Sequence, residues 1–288
     1  MKILVTGANG QLGNELRGLL EQEMPGVTTY VDIADLDLTD ASAVKSYLNK
    51  GNFSHLINCA AYTAVDKAEE QSGLCAAVNT DAVSNIARDA EELGLRIIHI
   101  STDYVFDGTS HRPYTESDKV NPTSQYGATK RKGETALLAL APDSIIIRTS
   151  WLYSPFGKNF VKTMLRLGQT NDTIRVVADQ IGTPTYAFDL AKAILAILKA
   201  QQWVPGIFHY SDEGVASWYD FATAIHRIAG TKGCKVLPIP TKDYPTPATR
   251  PMYSVLDKTR IKATYGIEIP HWETSLAHCL TRIDKNDL

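Results

Sequence analysis

The sequence predicts an α/β protein: a doubly wound, Rossmann-type parallel sheet with a small C-terminal substrate lobe. Three observations predict it. Apolar, strand-length runs alternate with helical stretches through the first half of the chain. The first of these runs turns directly into Gly7-Ala8-Asn9-Gly10-Gln11-Leu12-Gly13. A later one ends in Ser101-Thr102 and is followed by Tyr126 and Lys130, four residues apart.

Taken in order, Ile3-Leu4-Val5 reads as a buried strand that feeds the glycine turn. Leu12, Leu16, Leu19 and Leu20 then share one face of a helix. Gly7, Gly10 and Gly13 in this strand-turn-helix setting let the backbone approach a pyrophosphate, and the helix N-terminus offers N–H groups and a positive dipole end. The strand Val27 to Val31 ends at Asp32, an acidic residue about 20 positions past the glycines, placed to accept from an adenosine ribose. Its charge opposes a 2′-phosphate and leans towards NADH. Asp37 follows within reach of an adenine, and Asp40 is an N-cap for a helix through Tyr47.

The run from His55 ends in small residues up to Ala61, with Tyr62 and Thr63 behind, so a cofactor can lie against that strand end. A long helical stretch is expected from Gly73 to Leu93. The strand Arg96 to Ile100 then delivers Ser101 and Thr102. A polar, proline-containing loop leads to the Tyr126 helix, which Ser124 can cap. Ile145 to Ile147, running on through Arg148-Thr149-Ser150-Trp151, is expected to complete a sheet edge.

The second half is less regular. Helices are expected at residues 159–169, 188–200, 258–264 and 272–283, and short strands at 174–177 and 207–210. Prolines 238, 240, 245, 247 and 251 bar a central strand there. The division expected is residues 1–150 as an NAD(P)-binding core and 151–288 as a mixed region that completes the sheet and forms the substrate lobe.

Composition narrows the function. A net charge of −3 carries no basic surface for a nucleic acid partner. No apolar run approaches the roughly 18 residues of a membrane span. The N-terminus enters a strand without a signal-peptide core, and Cys59, Cys75, Cys234 and Cys279 have no metal or redox spacing. A cytoplasmic protein with reduced thiols is expected.

The chemistry rests on Tyr126 and Lys130. Their spacing puts both on one helix face, where an ammonium beside a phenol favours the phenolate. A phenol tuned in this way can pass a proton to a carbonyl oxygen, and Thr102 can add a hydroxyl. With 13 tyrosines in the chain, a Tyr-x-x-x-Lys spacing alone carries little weight. Its place after a Ser-Thr strand end, in a chain that opens on a dinucleotide turn, gives it meaning.

These features together resemble the extended short-chain dehydrogenase/reductases. Within them, five segments resemble the dTDP-4-dehydrorhamnose reductase family: residues 10–13, 61–69 (Ala-Tyr-Thr-Ala-Val-Asp-Lys-Ala-Glu), 101–108 (Ser-Thr-Asp-Tyr-Val-Phe-Asp-Gly), 148–151 and 244–251. The resemblance implies reduction of dTDP-4-dehydro-L-rhamnose by NADH or NADPH, for surface polysaccharide synthesis. It implies Gly10, Gln11 and Leu12 beside the pyrophosphate, and Asp32, Asp37 and Leu38 beside the adenosine. Ala61, Tyr62 and Thr63 would line the cofactor. Thr102, Tyr126 and Lys130 would serve both cofactor and chemistry, with Tyr104, Val105, Trp151 and Arg250 on the nucleotide-sugar. A monomer or homodimer is implied. Some members hold a magnesium ion through acidic side chains; Glu15 matches one such position, its partner carboxylates are not identifiable, and no metal site is expected. Two other readings stay open: a nucleotide-sugar 4-epimerase or dehydratase that keeps NAD bound, and a non-catalytic regulatory subunit of the methionine adenosyltransferase type.

Overall fold

The computed structural model describes residues 1–284. Its strands are β1 (Ile3–Thr6), β2 (Thr28–Val31), β3 (His55–Asn58), β4 (Arg96–Thr102), β5 (Ile145–Thr149), β6 (Leu152–Tyr153), β7 (Thr173–Val177), β8 (Ile181–Gly182), β9 (Thr185–Tyr186), β10 (Gly206–His209), β11 (Ala216–Ser217) and β12 (Lys235–Ile239). Six of them form one parallel sheet in the order β10-β5-β4-β3-β1-β2.

Alternation along these strands explains the two helical layers. Ile3, Val5, Ile57, Ile98, Ile145 and Ile147 face one side. There they meet α1 (Gln11–Glu23), through Leu16 and Leu20. The residues between them, Leu4, Leu56, Ile97 and Ile146, face the other side. That side is covered by α2 (Ala41–Gly51) and by a helical segment made of α3 (Val65–Glu70), α4 (Ser72–Ala76), a π-helical turn (Ala77–Asp81) and α5 (Ala82–Ala87). α6 (Gln125–Leu140) joins this layer through Leu137. Period-two burial on both faces is what a parallel sheet between helices requires. Asp40 caps α2 by accepting from Ser42 and Ala43 N–H, and Ser124 caps α6 by accepting from Gly127 N–H.

Two expectations are corrected. The strand that begins at Ile145 is not a sheet edge: β5 is internal, and β10 pairs outside it in parallel. The reason is that α7 (Phe160–Thr170) and α8 (Ala187–Lys199) carry the chain back, and α8 packs against α1. The expected helix at 73–93 ends at Ala87 and contains the π-helical turn. That turn swings Asn79 inward, where its amide bonds both the N–H and the C=O of Tyr62 at 2.9 and 3.1 Å.

The C-terminal part adds α9 (Trp218–Ala229), α10 (Thr259–Tyr265) and α11 (Trp272–Arg282). α7, α9 and α11 build a separate core around Phe221, Trp272 and Leu276. The proline-rich stretch begins as β12, paired only with β7, an edge position that tolerates Pro238, and Pro240 lies just past the strand's end.

Candidate active site

A cavity of about 590 Å³ opens at the C-terminal ends of β1, β2 and β3. Gly7 and Gly10 form its floor, Asp32, Asp37 and Leu38 one end, and Ala61 and Tyr62 the far wall. The backbone at Gly7 has φ +63°, and a Cβ there would lie 2.6 Å from the Ala60 nitrogen, so only glycine fits. Gly10 is the N-cap of α1 and supplies no side-chain cap, and no acidic residue occupies the first turn. An uncapped helix end of this kind can accept an anion. Asp32 is held by the N–H groups of Asn9 (2.8 Å) and Ile33 (2.9 Å). These features fit a dinucleotide: a cradle with no room for a Cβ, an uncapped helix end, and a fixed carboxylate beyond it.

A second cavity, about 170 Å³, adjoins the first, and Cys59 and Ala61 line both. It brings together Thr102, Tyr104, Tyr126, Lys130 and Trp151, with Asp103. The close approach is made by Gly127, where any Cβ would collide with the Tyr104 carbonyl oxygen. It lets α6 press against the 103–105 turn, and the Tyr104 and Tyr126 rings meet edge to face at 5.5 Å. Trp151 follows β5 with φ +47°, a left-handed backbone uncommon for a bulky side chain. Its indole stacks on Trp218 at 3.6 Å with the rings 9° apart.

Electrostatics in this cavity are set by burial. Tyr126 is pushed up to about 12 by desolvation, and the Thr102 hydroxyl against it opposes the rise. Lys130 is only 1% exposed, and desolvation brings it down to about 8. Its Nζ donates to the Ile100 carbonyl at 2.6 Å. The expected lowering of the phenol by Lys130 is therefore not the balance struck here. Asp103 is raised to about 6 by burial, and one of its oxygens accepts from Thr102 at 3.1 Å.

Other expected site residues are placed elsewhere. Leu12 lies in the core beneath the sheet. Gly13 packs α1 onto the turn, with no room for a Cβ against the Gly7 carbonyl oxygen. Gln11 turns its amide to Ser154 and Asn159, at 3.3 and 3.0 Å. Thr63 is exposed and lines neither cavity. Val105 is fully buried with Phe106, Tyr114 and Leu256. Arg250 makes a two-pronged ion pair with Asp66, at 2.6 and 2.8 Å. Glu15 likewise pairs with Arg282, at 2.9 and 3.0 Å. Among the described residues no cluster of three or more His, Cys, Asp and Glu is arranged to hold a metal ion.

Asn9, Ile33, Leu74 and Val78 in the large cavity and Asp103 in the small one are not among the residues expected from sequence. Asp103 had a signal, since it directly follows Thr102. Ile33 and Leu74 had none, because an exposed apolar side chain shows its purpose only once a cavity lies beside it.

Known proteins resemble this chain along its whole length. The family described as the RmlD substrate binding domain matches residues 1–285. A dTDP-4-dehydrorhamnose reductase of Aggregatibacter actinomycetemcomitans is 42% identical over 284 residues, covering 96% of this chain and 97% of that one. The crystal structure of a dTDP-4-dehydrorhamnose reductase from Clostridium acetobutylicum superposes with a TM-score of 0.93 at 46% identity, covering 98% of this chain and 99% of that one. That of Bacillus anthracis, in complex with NADP, gives 0.93 at 38% identity, covering 98% and 100%. A full-length family match, with relatives this similar along the whole chain, makes this protein a member of the dTDP-4-dehydrorhamnose reductase family within the extended short-chain dehydrogenase/reductases.

Proposed function

We propose that the protein reduces the C4 carbonyl of dTDP-4-dehydro-L-rhamnose to give dTDP-L-rhamnose, with NADH or NADPH as reductant. The observation that carries the reading is the cavity holding Thr102, Tyr126 and Lys130, which shares Cys59 and Ala61 with the dinucleotide cavity. A bound reduced nicotinamide supplies the hydride for the carbonyl carbon. Tyr126 donates its proton to the oxygen on which charge develops, and Thr102 stabilises that charge with a hydrogen bond. Lys130 holds the cofactor side of the pocket. Trp151 offers an indole face to the sugar or base. Arg250, already paired with Asp66, acts on the nucleotide-sugar through that pair and beside Tyr104, whose phenol burial pushes up and keeps protonated.

No helix is long and apolar enough to cross a membrane among the described residues, and a nucleotide-sugar is a water-soluble substrate. Both support a cytoplasmic enzyme. Purified protein should consume NAD(P)H one for one with dTDP-4-dehydro-L-rhamnose. Substrate turnover without net coenzyme consumption would instead identify an epimerase or dehydratase.

Two further results are expected. Asp32→Ala should weaken NADH more than NADPH, because only NADH offers a free 2′-hydroxyl to this carboxylate. Fluorescence titration of the two coenzymes measures this, and equal losses would remove Asp32 from the ribose. Trp218→Ala should raise KM for the nucleotide-sugar about two- to tenfold, the worth of one aromatic pair, with coenzyme KM unchanged. Trp218→Phe should recover most of the loss. An unchanged KM in Trp218→Ala would show that the stack does not position Trp151.

A further inference from the structure

A chain of buried polar side chains runs from Lys130 to the wall of the dinucleotide cavity. Lys130, His99, Asn58 and Thr6 are each at most 2% exposed. Thr6 donates its hydroxyl to Asn58 Oδ1 at 2.8 Å. Asn58 Nδ2 lies 3.0 Å from His99 Nδ1, and His99 Nε2 lies 3.4 Å from Lys130 Nζ.

The polarity of this chain is fixed at one end. Asn58 Oδ1 also accepts from the Ala60 backbone N–H at 3.1 Å. A backbone N–H can only donate, so the amide oxygen faces Ala60 and the NH₂ group faces His99. His99 Nδ1 must then accept. A neutral imidazole that accepts at Nδ1 carries its proton on Nε2. That N–H is directed at Lys130 Nζ. An ammonium has three donors and no lone pair, so it cannot accept there, whereas a neutral amine can. The amine still donates to the Ile100 carbonyl.

We propose that Asn58 and His99 form a polarised buried relay that favours the neutral amine of Lys130 over its ammonium in the free enzyme, which makes both of them positioning residues. Burial acts in the same direction on Lys130, and on His99, which it keeps uncharged. Of the ionisable groups around Lys130, Tyr126 lines the same cavity, and Glu134 on its own helix, Cys75 from α4 and Cys59 beyond β3 all favour the charged form. The lysine's hold on its proton is thus conditional: it tightens when an acceptor is turned towards Nζ. The catalytic meaning of the relay rests on the role proposed for Lys130, but its tests read the free protein, so the two can fail separately.

Nitrogen-15 NMR of the histidine rings in the cofactor-free protein reads the tautomer directly. His99 is expected as the Nε2–H form; the Nδ1–H form overturns the proposal. Asn58→Asp gives a second test. It keeps an acceptor for Ala60 and Thr6 and sets another against His99 Nδ1. The ring then carries its proton on Nδ1 and turns the Nε2 lone pair to Lys130, favouring the ammonium.

In the wild type, Lys130 titrates at about 8 when folded, below its ordinary 10.5. Between these values the unfolded chain binds more protons, so this group makes stability rise with pH across that window. Urea midpoints from pH 7.5 to 10.5, each referred to the matching Lys130→Met protein, isolate the contribution. Asn58→Asp should move the rise upward by about one pH unit or more. With His99→Phe added, the shift should fall below half. No shift overturns the relay, and so does a shift undiminished by His99→Phe, which would mark a bare charge effect.

Discussion

Tyr126→Phe is expected to lower kcat by about 10²–10⁴-fold, the usual worth of a positioned general acid, while coenzyme affinity stays close to wild type. The ring is nearly buried and meets Tyr104 edge to face, and phenylalanine preserves both features. What is lost is one proton donor. Burial pushes this phenol up to about 12, so it stays protonated throughout the neutral range. That state suits the reductive direction, in which the side chain must give a proton. Single-turnover kinetics with saturating coenzyme separate the chemical step from binding. A folded Phe variant that keeps more than about a tenth of wild-type turnover would remove Tyr126 as the donor.

Glu134→Ala is expected to cost about 3–5 kcal/mol of stability, the range for breaking a buried ion pair from one side. Glu134 is fully buried one turn beyond Lys130 on α6. It accepts two bonds from Arg148 at 2.8 Å, one from Ser101 at 2.6 Å and one from Arg131 at 2.9 Å. Arg148 is itself 1% exposed, so the alanine variant strands a guanidinium in the core. Burial opposes ionisation of Glu134, but these donors outweigh it and hold the carboxyl below its ordinary value. Its stabilising contribution is therefore complete above about pH 4.5 and is lost as pH falls through the lower folded value. Urea unfolding at pH 7 measures the loss. A change under about 1 kcal/mol would place the pair among those that contribute little. Because Ser101 adjoins Thr102, and Glu134 shares a helix with Tyr126, residual folded variant should also turn over more slowly.

The sequence by itself determined the features that depend on near neighbours. Period-two burial in Ile3-Leu4-Val5 and Ile145-Ile146-Ile147 dictated strands covered on both faces. The glycine turn dictated a tight strand-to-helix connection with no room for a Cβ at Gly7, and Asp40 and Ser124 capped the helices they precede. The four-residue spacing of Tyr126 and Lys130 placed both on one helix face, and both line one cavity.

Tertiary structure decided whatever depends on which distant residue arrives. Asp66 lies 184 positions from Arg250, and that pairing turns an apparent free cation into a neutralised one. Val105 reads like its neighbour Tyr104, yet in the 3₁₀ turn at 103–105 one packs into the core with Phe106, Tyr114 and Leu256 and the other lines the cavity, a division set by which distant residues surround the turn. Lys130 and Tyr126 look from their spacing like a phenolate and its counter-ion. Burial raises one and lowers the other, and desolvation depends on the whole surrounding fold, not on local sequence.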